Sequence, residues 1–83
     1  MSRAMLGAMD IEALRRHLEE TEGHIALGER HIAAQRGIIA ELAHDGHDTS
    51  QAEALLATFE QTQCLHLEDR DRIRKELDDA SRT

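Results

Sequence analysis

From Ile11 onward, apolar residues return at helical spacing: Ile11, Leu14, Leu18, Ile25, Ile32, Ile39 and Leu42. With Ile11 at heptad position a, the a series is Ile11, Leu18, Ile25, Ile32 and Ile39. The d series is Leu14, Thr21, Gly28, Gln35 and Leu42. A period of 3.5 to 3.6 residues puts both series on one stripe of a helix. One half of the stripe is uniformly branched and apolar; the other alternates Leu with polar and small residues. The spacing predicts a first helix over about 10–44, preceded by a flexible segment, 1–9.

The pattern stops at HDGHDTSQAE, residues 44–53. Gly46 suits the left-handed conformation that ends a helix. Asp48 and Ser50 both suit the start of the next, each having Gln or Glu three residues on, and the sequence does not choose between them. A second stripe then runs through Ala52, Leu55, Leu56, Phe59, Gln63, His66 or Leu67, Arg70, Ile73 and Leu77. The predicted organisation is a turn at 45–48, a second helix over about 49–80 and a frayed tail, 81–83, so that 10–80 forms one helical hairpin.

A connection this short forces two helices to pack antiparallel. Measured from the turn, facing residues should have numbers summing to about 94 or 95. That register sets Gln35 near Phe59, Ile32 near Gln63, Gly28 near His66 and Leu18 near Leu77. The expected fold class is all-α, an antiparallel two-helix hairpin of coiled-coil type.

More apolar surface is present than one narrow seam covers. Ala26, Leu27, Ala33, Ala34 and Ala40 lie off the first stripe, with Gly23 and Gly37 among them, and Cys64, Leu65 and Leu67 lie around the second. Glycine inside a helix costs about 0.5–1 kcal/mol relative to alanine, which points to close approach by a partner's backbone. Cys64 reads as a small buried hydrophobe. Pairing of two hairpins into a homodimeric four-helix bundle is the expected assembly.

Composition narrows the partners. The 83 residues hold 17 acidic and 10 basic side chains, for a formal charge of -7, with one Phe, no Trp and no Tyr. A net negative chain without stacking aromatics disfavours nucleic acid, and the most basic stretch, DRDRIRK at 69–75, is interleaved with carboxylates. The single cysteine excludes an intrachain disulfide. No apolar run reaches signal-peptide or bilayer-spanning length, so no membrane partner and a cytoplasmic location are expected.

Six histidines are the main chemical resource. His17, His24 and His31 recur every seven residues, about 10.5 Å apart along a helix at 1.5 Å per residue. That step is too long for two of them to share a metal ion at Zn–N bonds of about 2.0–2.1 Å. His66 is the one histidine of the second helix that the register brings near this row, with Gly28 leaving it room. Glu41 and His44 form a single Glu-x-x-His at a helix end, short of the paired motif a di-metal bundle requires. The loop residues His44, Asp45, His47 and Asp48 match no calcium loop. No phosphate loop, nucleophile elbow or zincin motif occurs. No catalytic, cofactor or metal residues are therefore assigned.

The segments HIALGERHIAAQRGIIAEL and DGHDTSQAEALLATFEQTQCLHLEDRDRIRKEL resemble a group of small uncharacterised two-helix proteins encoded in rhizobia and related alphaproteobacteria. The likeness covers residues 14–77. It is carried by QR at 35 and 36, DGHDT at 45–49, ALLATFEQTQ at 54–63 and HLEDRDRI at 66–73. It implies a recurring two-helix module and brings no activity to these residues.

The expected function is a helical protein-association or adaptor module without catalysis of its own, self-associating or binding a further protein. Its packing and interaction residues are Leu18, Ile25, Gly28, Ile32, Ile39, Leu56, Phe59, His66, Ile73 and Leu77. Gln35, Gln63, His66 and Arg70 are expected to select the register through their need for polar partners. The alternative is a small pH-sensitive or metal-modulated regulator acting through His24, His31 and His66. Nucleic-acid association stands third.

Overall fold

A computed structural model of the protein describes residues 3–82, with side chains described from residue 11 onward. It contains two helices, α1 (Arg3–His44) and α2 (Ser50–Ser81), packed against each other as an antiparallel hairpin. The molecule is a rod of 65 × 18 × 14 Å. Helix α1 begins at Arg3 instead of residue 10. Ala, Met and Leu dominate residues 4–9, and these are among the strongest helix formers, so nothing local stops propagation. Helix α2 takes in Ser81, whose Oγ donates to the Leu77 carbonyl at 2.8 Å. Met1 and Ser2 of the expected leading segment, and Thr83 of the tail, lie outside the described residues.

The turn closes α1 with paired backbone bonds. The His47 N–H donates to the Leu42 carbonyl at 2.8 Å and the Gly46 N–H to the Ala43 carbonyl at 3.1 Å, with Gly46 at φ +77°. This is a Schellman closure, and glycine carries the left-handed residue without the strain a Cβ would bring. Helix α2 starts differently from either capping box. Thr49 occupies the cap position without a side-chain hydrogen bond. Asp48 instead accepts from the Ser50 N–H at 3.0 Å and the Ser50 hydroxyl at 2.8 Å, a local turn that satisfies one of the unpaired first-turn donors.

These two bonds hold the Asp48 carboxyl below the ordinary aspartate value of about 3.9, the backbone bond contributing most. A carboxylate depressed in the folded state adds stability above its unfolded pKa and loses it as pH falls through the folded value. The thermal midpoint should therefore fall as pH drops below about 4. Asp48→Asn keeps an oxygen acceptor without the titration and should flatten that part of the pH profile. Identical acid slopes for the wild type and the variant in circular-dichroism melts would remove Asp48 as a contributor.

The core is narrow and partly polar. Ile73 is completely buried and Ile25 nearly so. Thr21, Gln35 and Gln63 are buried with them, while Leu18, Ile32, Ile39, Leu56, Phe59 and Leu77 are half-buried along the seam. Both glutamines reach across the interface. Gln63 Nε2 donates to the Ile25 carbonyl and Gln35 Nε2 to the Ala52 carbonyl, each at 2.9 Å. Cross-helix bonds of this kind contribute about 1 kcal/mol each and impose a positional requirement that apolar contacts lack.

The register differs from the sequence expectation. Gly28 faces Gln63, not His66: a Cβ on Gly28 would collide with Gln63 Oε1 and stand 2.9 Å from Gln63 Cδ. His24 lies against His66 and His31 against Phe59. Facing numbers in these pairs sum to 90 or 91, which slides α2 by about one turn and sets Leu18 level with Ile73 and Ile32 level with Phe59. Of the four polar seam residues, Gln35 and Gln63 cross by hydrogen bonds and His66 by its ring. Arg70 turns to Asp71 on its own helix, with Nε and Nη2 both 3.1 Å from Oδ1. Cys64 is exposed, contrary to its expected burial, because it lies on the side of α2 away from the seam. Gly23 and Gly37 face open space within the hairpin.

Candidate functional site

The two flanks of the seam have different chemistry. On one, ion pairs bridge the helices: Arg74 Nη2 lies 3.2 Å from Glu22 Oε2 and Arg36 Nη2 3.3 Å from Glu60 Oε2. These pairs are exposed and add little stability, although opposite charges there favour the antiparallel alignment. The other flank carries the histidine row. His17 Nε2 sits 3.4 Å from Asp69 Oδ2. The His24 and His66 ring centroids are 5.2 Å apart with planes 36° apart, and those of His31 and Phe59 are 5.7 Å apart at 39°. Each row member thus meets a different partner on α2: a carboxylate, an imidazole and a phenyl ring.

Asp69 also pairs with Arg72, and that hydrogen bond is the largest cause holding its carboxyl below the ordinary aspartate range; the charges of Arg72, His17 and His66 add to it against partial desolvation. The charged end of the histidine flank is therefore locally neutralised.

Between the His24 and His31 rungs a groove of about 340 Å³ opens, lined by His24, Leu27, Gly28, His31, Thr58, Phe59, Thr62, Gln63 and His66. Two buried polar atoms on this wall have no hydrogen-bond partner, Gln63 Oε1 and His66 Nδ1. Gln63 spends its amide nitrogen on the Ile25 carbonyl, which leaves its oxygen aimed at the Gly28 α-carbon.

Among the described residues, the exposed large apolar side chains are Leu27, Ile38, Leu55 and Leu65, with Leu65 61% exposed. Heptad spacing puts all four on the groove flank: Ile38 seven residues after His31, Leu55 seven before Thr62, Leu65 seven after Thr58, and Leu27 in the groove wall itself. Over residues 24–38 of α1 and 55–65 of α2, the outward positions of this flank are His24, Leu27, His31, Ala34, Ile38, Leu55, Thr58, Thr62 and Leu65. None is Asp, Glu, Lys or Arg. The band is about 20 Å long at 1.5 Å per residue.

Of the residues expected to matter, the structure gathers Gly28, Phe59, His66, His24 and His31 around one groove. Ile25 and Ile73 lie within the seam, not at the surface. Leu27, which the sequence set off the first stripe, completes the groove with Thr58 and Thr62, which were not singled out and whose signal was the charge-free run along one flank. Among the described residues no group of three or more His, Cys, Asp or Glu side chains is placed to hold a metal ion. No described helix is long and apolar enough to cross a membrane. Comparison of the chain with family models, curated proteins and solved structures gives no match.

Proposed function

We propose that the protein is a helical association module of the cytoplasm, without catalysis of its own, whose primary partner is a second copy bound through the histidine flank to make a four-helix bundle. The observation that carries this is the concentration of Leu27, Ile38, Leu55 and Leu65 on one band of the histidine flank that carries no Asp, Glu, Lys or Arg, opposite a flank bridged by ion pairs. A hairpin whose described residues include two buried apolar side chains, Ile25 and Ile73, has a narrow core, and small chains of this kind gain stability by burying a further face.

A second copy suits the band, which lies in the half of the rod nearest the turn, over residues 24–38 of α1 and 55–65 of α2. A two-fold axis through its centre superposes the same apolar residues of both chains, the self-complementarity an isologous contact requires. The rod's 65 × 18 Å outline also accommodates the roughly 800 Å² per partner of a standard interface.

Sedimentation or light scattering across concentration tests this directly. The wild type should show a monomer–dimer equilibrium. Leu65→Glu and Leu55→Glu should each weaken it at least about tenfold, the effect of losing about 1.4 kcal/mol, while far-ultraviolet circular dichroism stays helical because both positions are exposed in the hairpin. A mass that stays monomeric at all concentrations, or that ignores both substitutions, overturns the assignment.

The presence of His24, His31 and His66 on the same groove supports pH-sensitive regulation as a second function. Imidazolium charge on an apolar contact opposes docking. The same mass measurement should then show more monomer at pH 5.5 than at pH 7.5; a pH-independent equilibrium excludes it.

A further inference from the structure

We infer that His24 and His66 form a binding site for a late first-row divalent cation such as Zn²⁺ or Cu²⁺, held by one imidazole from each helix.

The spacing of the rings is the first support. A metal about 2.0–2.1 Å from a ring nitrogen lies about 3.2 Å from that ring's centroid, and a tetrahedral angle between two such ligands separates the centroids by about 5.2 Å. The observed separation is 5.2 Å. The steps of about 10.5 Å along the His17, His24 and His31 row rule out chelation within that row, whereas the cross-helix pair of His24 and His66 lies at chelating distance.

The second support is independent of that distance. His66 Nδ1 is buried without a hydrogen-bond partner, and a buried ring nitrogen left unpaired has lost its hydration without replacement. A neutral imidazole offers that nitrogen as a lone-pair donor, and a coordinated cation would satisfy it. His24 is exposed, so its ring is free to swing about χ1 and χ2 toward a common point with His66. Thr62 lines the same groove, and its hydroxyl or water would complete the coordination. Neutral imidazole suits Zn²⁺ and Cu²⁺, whereas Mg²⁺ and Ca²⁺ require oxygen ligands that this wall lacks in number.

Bound this way, the ion would staple α1 to α2 and raise the hairpin's thermal midpoint, since only the folded hairpin brings the two imidazoles together and so binds it more tightly. The site does not depend on self-association, and it should be tested on dilute protein whose mass has been checked by sedimentation. Zn²⁺ titration followed by calorimetry and by melting should show binding and a raised midpoint for the wild type and for His31→Gln. His24→Gln should lose both effects; being exposed, this position leaves folding intact. Substoichiometric Cu²⁺ should broaden the His24 and His66 ring resonances before those of His44 and His47. Retention of the Zn²⁺-induced stabilisation in His24→Gln, or first broadening at the loop histidines, overturns the assignment. Should His66→Gln fail to fold, His24→Gln and the resonance order still decide the question.

Discussion

Replacing Ile73 by Ala should destabilise the hairpin by about 2–4 kcal/mol, within the range for truncating a buried Ile. Among the described residues Ile73 is the one large side chain with no exposed surface, and the observed register sets it level with Leu18 beside the turn of helix that buries Thr21. Its loss opens a cavity where the helices have little else to close it. Single domains are typically stable by about 5–15 kcal/mol, and a rod this thin has few buried apolar groups to spare. Urea unfolding followed by circular dichroism should show a large drop in midpoint with an unchanged slope, the sign of altered stability instead of altered compactness. The matched control, measured on protein dilute enough to be monomeric, is Leu65→Ala, where the side chain is 61% exposed and the expected change in hairpin stability is below about 0.5 kcal/mol. Equal effects of the two substitutions would mean that the seam is not where the structure puts it.

How much of this was legible before the structure depends on the physical origin of each feature. Both helices and the turn were readable because they follow from local chemistry: a sustained heptad pattern, absence of proline, and Gly46 at the one position requiring positive φ. Ile25 and Ile73 were likewise readable as core positions from periodicity alone. The register was not. Sliding one apolar stripe along another by a turn replaces each contact with a similar one, so periodicity scarcely distinguishes the alternatives. Here polar groups distinguish them: Gln63 needs a notch and a carbonyl, and Gly28 and Ile25 supply both only in the observed alignment. Cys64 was misplaced for a related reason, since small-hydrophobe statistics say nothing about which side of a helix a residue occupies. The histidine row was visible as spacing, yet its different partners, Asp69, His66 and Phe59, depend on the register and were hidden with it.

If Gln63 in the Gly28 notch is what holds this register, one substitution should change sign with its position in α1. Gly23→Ala and Gly37→Ala place a methyl in open space and should each stabilise the protein by about 0.5–1 kcal/mol through helix propensity. Gly28→Ala gains the same propensity but drives Gln63 out of the notch. It loses the hydrogen bond to the Ile25 carbonyl, about 1 kcal/mol, and adds an overpacking cost of about 1–3 kcal/mol. The net expectation is destabilisation by about 1–3.5 kcal/mol, a lowering of the thermal midpoint by about 4–8 °C for each kcal/mol in a chain of this length. A double-mutant cycle isolates the cause. In a Gln63→Ala background the notch is already empty, so Gly28→Ala should become stabilising, with a coupling energy above about 1 kcal/mol. An additive cycle would show that the cost at Gly28 comes from elsewhere, and the register would then have to be attributed to the Gln35 bond and the flanking ion pairs. Because Gly28 and Gln63 also line the groove, displacing Gln63 alters the wall between His24 and His66. The Gly28→Ala protein should therefore be weaker in Zn²⁺ binding as well as in folding, whereas Gly23→Ala and Gly37→Ala should leave Zn²⁺ binding unchanged.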